Sequence, residues 1–514
     1  MAAQSITTDQ TTVATAEPGT LADWAALGGG QAGLAEETDY FIQGQTSISK
    51  QVKQETKGMH ADSGAAVTFG AGDHVYTWMY STTPGAGDLR ANGGLRVSLG
   101  ASGTARSEYY VNGSDFYKYG GWICYPVDPT ATADNIVGAG GGSTPRYFGG
   151  IMSNSVTVKG VNYGIDVIRY GTGIDATGGG SPDPDITFND IATEDALNAN
   201  AWGICQPTPS GVALQGEIRI GADDTSTNTT FTDVDAVLTK PNNNPSGVNQ
   251  KTSATFSGIT IAGSLTTASF TGCLFIGLDT TDTGYFDCGT ATNTPTVTLQ
   301  NSTFLDWGPT TLSSSCTTDG TAWKNSDSLT LNGATITNCR FENSSPVLAA
   351  GNLGNVQSSD FIRGTAGHAI ETSVTGSTSL TGCSFSGYGA NGTSTAALHF
   401  TATSGSVTVA VSGGAIPTYL SDGVSVSLTL STTLTLTGLA NNTEVRIYDT
   451  GTTTELAGIE NTSTGSFTTG ITVSAVDIVI FNLNFQAIRL VNVDTSSDRS
   501  IPITQIEDRQ YENP

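Results

Sequence analysis

Five short segments of this 514-residue chain share one signature: a small residue, then Cys or Ser, then a variable position, then Phe. They are Gly272-Cys273-Leu274-Phe275, Asn301-Ser302-Thr303-Phe304, Asn338-Cys339-Arg340-Phe341, Ser358-Ser359-Asp360-Phe361 and Gly382-Cys383-Ser384-Phe385. Successive Phe residues lie 20 to 37 positions apart, within the range of stacked-coil solenoids. Each copy follows a β-rich stretch, as Val297-Thr298-Leu299 precedes Asn301, and each precedes a turn. One short strand cannot bury its inward face alone, so the copies must stack on one another. Side chains alternate along a strand, so the Cys or Ser and the Phe two places later point the same way. The pattern predicts a right-handed parallel β-helix over residues 223–410, with a ladder of Phe rings beside a ladder of small Cys and Ser groups. The long gap between Phe304 and Phe341 predicts an excursion loop over 308–325.

Outside this region the texture changes. Residues 1–37 are polar and small and read as an N-terminal arm or linker, with one short helical candidate around 21–27. Residues 38–222 are aromatic, with alternating stretches such as Val75-Tyr76-Thr77-Trp78-Met79-Tyr80 and Gly94-Leu95-Arg96-Val97-Ser98-Leu99-Gly100 separated by Gly or Pro turns. A loop-rich insertion at 131–145 and a helical candidate at 190–198 interrupt them, and Gly216-Glu217-Ile218-Arg219-Ile220-Gly221 closes the region. The order of an aromatic strand with Trp, a Gly-Gly-Leu-x-Val-x-Leu-Gly strand, a Tyr-rich strand and a Gly-Trp strand resembles concanavalin-like (laminin-G or lectin-type) sandwiches. From 411 to 514 the period is lost. There Glu444-Val445-Arg446-Ile447-Tyr448 and Asp477-Ile478-Val479-Ile480-Phe481 are predicted to pair in a small antiparallel β-sandwich. The fold class expected is therefore mainly β in three parts. The last 75 or so residues, with their Glu-Val-Arg-Ile-Tyr strand and terminal Asp508-Arg509-Gln510-Tyr511, resemble the C-termini of tailed-phage virion proteins. That resemblance implies a virion setting and says nothing about chemistry.

Charge excludes one class of partner. The chain carries 46 Asp and Glu against 20 Lys and Arg, a formal net charge of −26, and no basic stripe interrupts it, so nucleic acid is not an expected partner. No stretch reaches the roughly 18 apolar residues of a membrane span. The beginning of the chain lacks the basic start and apolar core of a secretory signal. Seven Cys are spaced without a C-x-x-C pair, and three of them fill the repeated inward position, where a thiol acts as a small hydrophobe. A polar, Thr- and Ser-rich β-protein without an export signal fits a virion component made in the host cytoplasm and released by lysis; a lost signal peptide or export by a signal-independent route would fit it too.

Candidate chemistry is sparse. Asp360, Arg363, His368 and Glu371 could serve acid/base cleavage of a glycan on neighbouring coils, but the other copies of the repeat place Leu274, Thr303, Arg340 and Ser384 where Asp360 stands. Asp279 with Asp282, and Asp183 with Asp185, offer hard oxygen ligands without the spacing of a calcium loop. His60, His74, His368 and His399 are too dispersed for a zinc pattern. The stretch 109–125 is the better recognition candidate: Tyr110, Tyr117, Tyr119 and Trp122 present ring faces for sugars, and Asn112 and Asp115 could bond hydroxyls. The expectation is a non-enzymatic phage structural protein: a fibre, spike or capsid decoration that binds host surface glycan and other virion proteins. It is expected to need no cofactor or metal and to form a homo-oligomer, a trimer by analogy. A β-helical tailspike depolymerase and a bacterial surface adhesin are the alternatives.

Overall fold

The computed structural model describes residues 4–27, 33–52, 56–81, 93–110, 122–154, 161–179, 186–197, 200–208, 211–221, 227–231, 236–239, 257–277, 284–289, 294–349, 352–365, 367–460, 462 and 465–508. The fold is mainly β, with sandwich sheets and a parallel β-helix. The chain divides into two compact units, residues 1–316 and 317–514.

The first unit opens with an antiparallel sandwich. Among the described residues one sheet runs Trp122–Val127, His74–Ser81, Val161–Gly171, Ser47–Val52, Leu34–Glu37, with Thr11–Ala14 also paired to Val161–Gly171. The other runs Asn135–Val137, Ala105–Tyr110, Gly93–Ser102, Tyr147–Asn154, Thr56–Asp62, Trp24–Ala26. Alternating apolar residues of the two sheets, among them Trp24, Ile48, Met79, Val97, Tyr125, Phe148 and Ile165, form one buried core. The described residues among the first 37 do not form an arm. Three of their strands join the sandwich, the helical candidate becomes the 3-10 turn Thr20–Asp23 followed by a strand, and Ser5–Thr8 pairs antiparallel with Gly173–Thr177.

That last pairing marks where the solenoid begins, well before residue 223. Gly173–Thr177, Glu217–Ile220, Gly258–Ile261, Tyr285–Asp287 and Thr310–Ser313 form one parallel stack. The segment at 216–221 therefore belongs to the solenoid and does not close the sandwich. Gly211–Leu214, Ala236–Thr239, Leu274–Ile276 and Thr303–Leu305 form a second stack, and Thr227–Phe231, Thr266–Thr271 and Thr296–Gln300 a third. The helix Phe188–Leu197 lies against Cys205–Thr208 at the start of these stacks.

In the second unit the same three-strand coil recurs, from Thr317–Asp319 and Ala322–Lys324 to Tyr419–Ser421 and Ser425–Leu430. The stacking thus runs about 20 residues past the expected end at 410. Two small sheets follow and share one apolar core. Glu444–Asp449 pairs antiparallel with Ala475–Asn482 as expected. Thr432–Thr437, however, pairs parallel with Arg499–Pro502, so this part is not wholly antiparallel.

Backbone geometry explains the repeat signature. Its first residue takes a left-handed conformation: φ is 69° at Gly272, 50° at Asn301, 55° at Asn338, 47° at Ser358 and 69° at Gly382. Gly and Asn tolerate that region best. The turn it makes aims the next residue inward. Ser302 and Ser359 each donate to the carbonyl two residues earlier, at 3.1 and 2.7 Å, and each accepts the backbone N–H of a Cys in the adjacent coil, Cys273 or Cys339. Beside this polar seam the rings stack. In the first unit Phe275 lies on Phe304 at 4.5 Å. In the second, Trp323 lies on Phe341, Phe341 on Phe361 and Phe361 on Phe385 at 4.8–5.2 Å, all within 10° of parallel.

Trp323 corrects the expected excursion loop. Gly320, with φ of 64°, Thr321 and Trp323 occupy the three signature positions, so 317–325 is a regular part of a coil. All seven Cys are buried. Among the described residues no helix is long and apolar enough to cross a membrane.

Two buried carboxyls tie the first unit to pH. Asp195 accepts the backbone N–H groups of Gly203, Ile204 and Cys205 at 2.7–2.9 Å, and Asp166 accepts those of Ile42 and Gln43. Burial pushes both carboxyls up from 3.8 to about 6, against the pull of those N–H bonds. The folded state thus holds these protons more tightly than the unfolded chain. Their stabilisation is fully present below the unfolded value and is lost as pH rises through about 6. Two such shifts are worth a few kcal/mol in all, on the order of 1.4 per unit. Urea midpoints measured from pH 4.5 to 7 are expected to fall, and Asp195→Asn to flatten that fall.

Candidate functional site

Four successive strands of the first parallel stack share a pattern: Gly173-Ile174-Asp175-Ala176, Glu217-Ile218-Arg219-Ile220, Gly258-Ile259-Thr260-Ile261 and Tyr285-Phe286-Asp287-Cys288. The second and fourth residues of each are buried, so alternation turns the first and third outward. Strand register aligns Gly173, Glu217, Gly258 and Tyr285 in one column, and Asp175, Arg219, Thr260 and Asp287 in the next. Glycines flank Glu217 on both sides of its column. A Cβ on Gly258 would lie 2.5 Å from the Tyr285 ring, so only glycine lets that ring lean back and its hydroxyl reach Glu217. Thr260 Oγ1 donates to Glu217 Oε1 at 2.5 Å, and Arg219 Nη1 lies 3.4 Å from Oε2.

Arg219 organises the rest. It grips Asp175 with two bonds of 2.6 and 3.1 Å and Asp9 with one of 3.0 Å. Asp9 reaches this point because the N-terminal strand pairs with Gly173–Thr177, and it accepts the N–H groups of Thr172 and Gly173. Burial works against the Arg219 charge, but Asp175 and Asp9 outweigh it and hold the guanidinium well above its ordinary value. Burial likewise opposes the Asp9 charge, yet the Gly173 N–H, Thr172 and Arg219 keep its carboxyl below the usual range. Asp287 goes the other way. Burial raises its carboxyl, the Gly289 N–H opposes the rise, and the Glu217 charge adds to it. Burial and the same Glu217 charge raise the Tyr285 hydroxyl. The face therefore holds two carboxyls in unlike settings, one raised by burial and the other hydrogen-bonded by Thr260 and Tyr285, a contrast that acid/base chemistry uses.

The sequence-based candidates are placed differently. Asn112, Asp115, Tyr117 and Tyr119 lie outside the described residues, as do Asp183, Asp185, Asp279 and Asp282. Tyr110 is half-buried with the Arg96 guanidinium 4.6 Å above its ring. Trp122 is buried, 4% exposed, against Tyr80 at 4.6 Å, so it offers sugars no open face. Alternation turns it to the opposite face of its strand from Tyr125 and Val127 of the shared core, and Tyr80 covers it there. Asp360 faces outward between Arg340 and Ser384 in one stack, whereas Glu371 stands in another, next to His399. Coil geometry separates Asp360 from Glu371 and His368. The Glu217, Tyr285 and Asp287 group is absent from the sequence-based candidates; the shared pattern of four outward-inward strands is the signal for it.

No protein-family model and no curated protein matches the chain. Solved structures give matches of low similarity. The Agl-KA catalytic domain matches at 12% identity and a TM-score of 0.20, covering 83% of this chain and 88% of its own. The catalytic domain of a GH87 alpha-1,3-glucanase in complex with tetrasaccharides matches at 10% and 0.22, covering 83% and 85%. Likeness at this level assigns no activity. The expectation that this chain has no enzymatic role is withdrawn, because it was formed without the outward Glu217, Tyr285 and Asp287 group described above.

Proposed function

We propose that this solenoid face binds and hydrolyses a polysaccharide, with Asp287 as proton donor to the leaving oxygen and Glu217 as the base that activates water. The observation that carries the reading is a pair of carboxyls in unlike settings on one face, one raised by burial and the other hydrogen-bonded by Thr260 and Tyr285. Their backbones stand two coils and two residues apart, about 12 Å from strand spacing. Arg219 fixes the surrounding carboxylates.

The test is to incubate the purified chain with a panel of bacterial surface polysaccharides and α- and β-glucans, and to follow reducing ends and chain length. Shortening of one glycan supports the reading. Absence of shortening across the panel overturns it, and binding without shortening leaves a recognition protein in its place. We propose a phage particle as the setting, supported by the likeness of the C-terminal residues to phage virion proteins. Mass spectrometry of purified particles tests that part separately.

A further inference from the structure

A second polar group lies in the other unit, on the stack containing Ile370–Thr372, Leu398–Phe400 and Tyr419–Ser421. Register sets Glu371 beside His399 in adjacent strands, and alternation turns both outward while Ile370, Thr372, Leu398 and Phe400 stay buried. His368, three residues before Glu371, brings its ring to 4.6 Å from that of His399. One ligand atom from each of His368, Glu371 and His399 lies within 4.8 Å of the other two. The histidines that looked too far apart in sequence are brought together by one coil of the solenoid.

Hydrogen bonding decides which imidazole nitrogens are available. His368 Nδ1 lies 2.7 Å from the Ala396 carbonyl. A carbonyl only accepts, so Nδ1 carries the proton and Nε2 keeps its lone pair. His399 Nε2 lies 3.1 Å from Asp422 Oδ1, which assigns that proton to Nε2 and leaves Nδ1 as the acceptor. Nδ1 is buried without a hydrogen-bond partner, and the group it faces is Glu371 Oε1 at 3.5 Å. Two acceptors turned toward each other is a costly arrangement unless a proton or a metal cation stands between them. A second ring proton would answer that pair alone, whereas a metal ion would also engage His368. Each imidazole has an outer partner of the type that orients metal-bound histidine.

We propose that His368 Nε2, His399 Nδ1 and the Glu371 carboxylate bind one first-row divalent transition metal ion, with Asp422 and the Ala396 carbonyl orienting the two rings. Imidazole nitrogen with carboxylate suits zinc-class ions better than calcium or magnesium, which prefer all-oxygen shells. Three protein ligands leave a further position for water or a ligand oxygen. Because the donors come from two successive coils, the ion would clip those two turns of the solenoid together, with Asp422 of the next coil behind His399. This inference stands independently of the glycan site in the other unit.

The experiment is a Zn²⁺ titration of the full chain, stripped with chelator, followed by calorimetry and by metal analysis after dialysis. Co²⁺ serves as the spectroscopic probe. One Zn²⁺ per chain is expected, with little competition from Ca²⁺ or Mg²⁺. Glu371→Gln and His399→Ala should each abolish stoichiometric binding, and Asp422→Asn should weaken it by about 10–100-fold. Thermal melts without metal establish that each variant is folded, and a Zn²⁺-dependent rise in the native melt should vanish in Glu371→Gln. Absence of saturable Zn²⁺ binding by the native chain overturns the proposal. So does stoichiometric binding that survives both Glu371→Gln and His399→Ala.

Discussion

Asp287→Asn is expected to reduce polysaccharide cleavage by about 10²–10⁴-fold, the usual contribution of a positioned acid or base, while glycan affinity stays within a few-fold. The substitution keeps the shape and the capacity to accept the Gly289 N–H at 3.0 Å but cannot deliver a proton. Glu217→Gln should cost a similar factor by removing the base. The two variants differ in their pH profiles. Burial and the Glu217 charge raise the Asp287 carboxyl, so native activity should decline as pH climbs past that raised value and the acid is lost. Asp287→Asn should have no such alkaline limb in its residual activity. Initial rates across pH, with affinity electrophoresis for binding, measure both. Full activity in Asp287→Asn would remove the proposed acid.

Phe304→Ala should destabilise the first unit strongly, by about 3–5 kcal/mol. Its side chain is fully buried, stacks on Phe275 at 4.5 Å, and meets Phe286 and Trp307 edge-on at 5.7 and 6.1 Å. Removing the ring leaves a void between coils that strand hydrogen bonds prevent from collapsing. Phe385→Ala gives the internal comparison. Phe385 is only half-buried and contacts Phe361 and Tyr388, so its loss should cost clearly less. Chemical denaturation of the two variants against the native chain checks the order. Equal midpoints would mean that the stacked rings do not bear on stability.

The ring ladder was legible in the sequence because each signature combines a residue suited to left-handed backbone, an inward small group and Phe. Trp323 was hidden because its coil uses Gly, Thr and Trp, which satisfy the same geometry with different letters. The N-terminal strand was hidden for another reason: Ser5–Thr8 has no local partner, and Thr8 bonds Gly173 across 165 residues. Distance along the chain also concealed both polar groups. Glu217 and Asp287 are 70 residues apart in numbering, and His368 and His399 are 31 apart, yet coil lengths set both pairs on common faces. Coil length varies with its loops, so register could not be counted from spacing. In the sandwich, texture identified the strands, but alternation alone did not tell that Trp122 packs against Tyr80 rather than facing outward.

The strand Ser5–Thr8 has a consequence for biosynthesis. Its partner, Gly173–Thr177, is made some 165 residues later, roughly 10–30 s at ordinary ribosome speeds. Through that interval the nascent chain holds a strand with nothing to pair, and Asp9 waits with it. These residues thus cannot settle until the first strand of the solenoid has been made. A bulky insertion just ahead of them would lower folding yield far more than their polar character suggests.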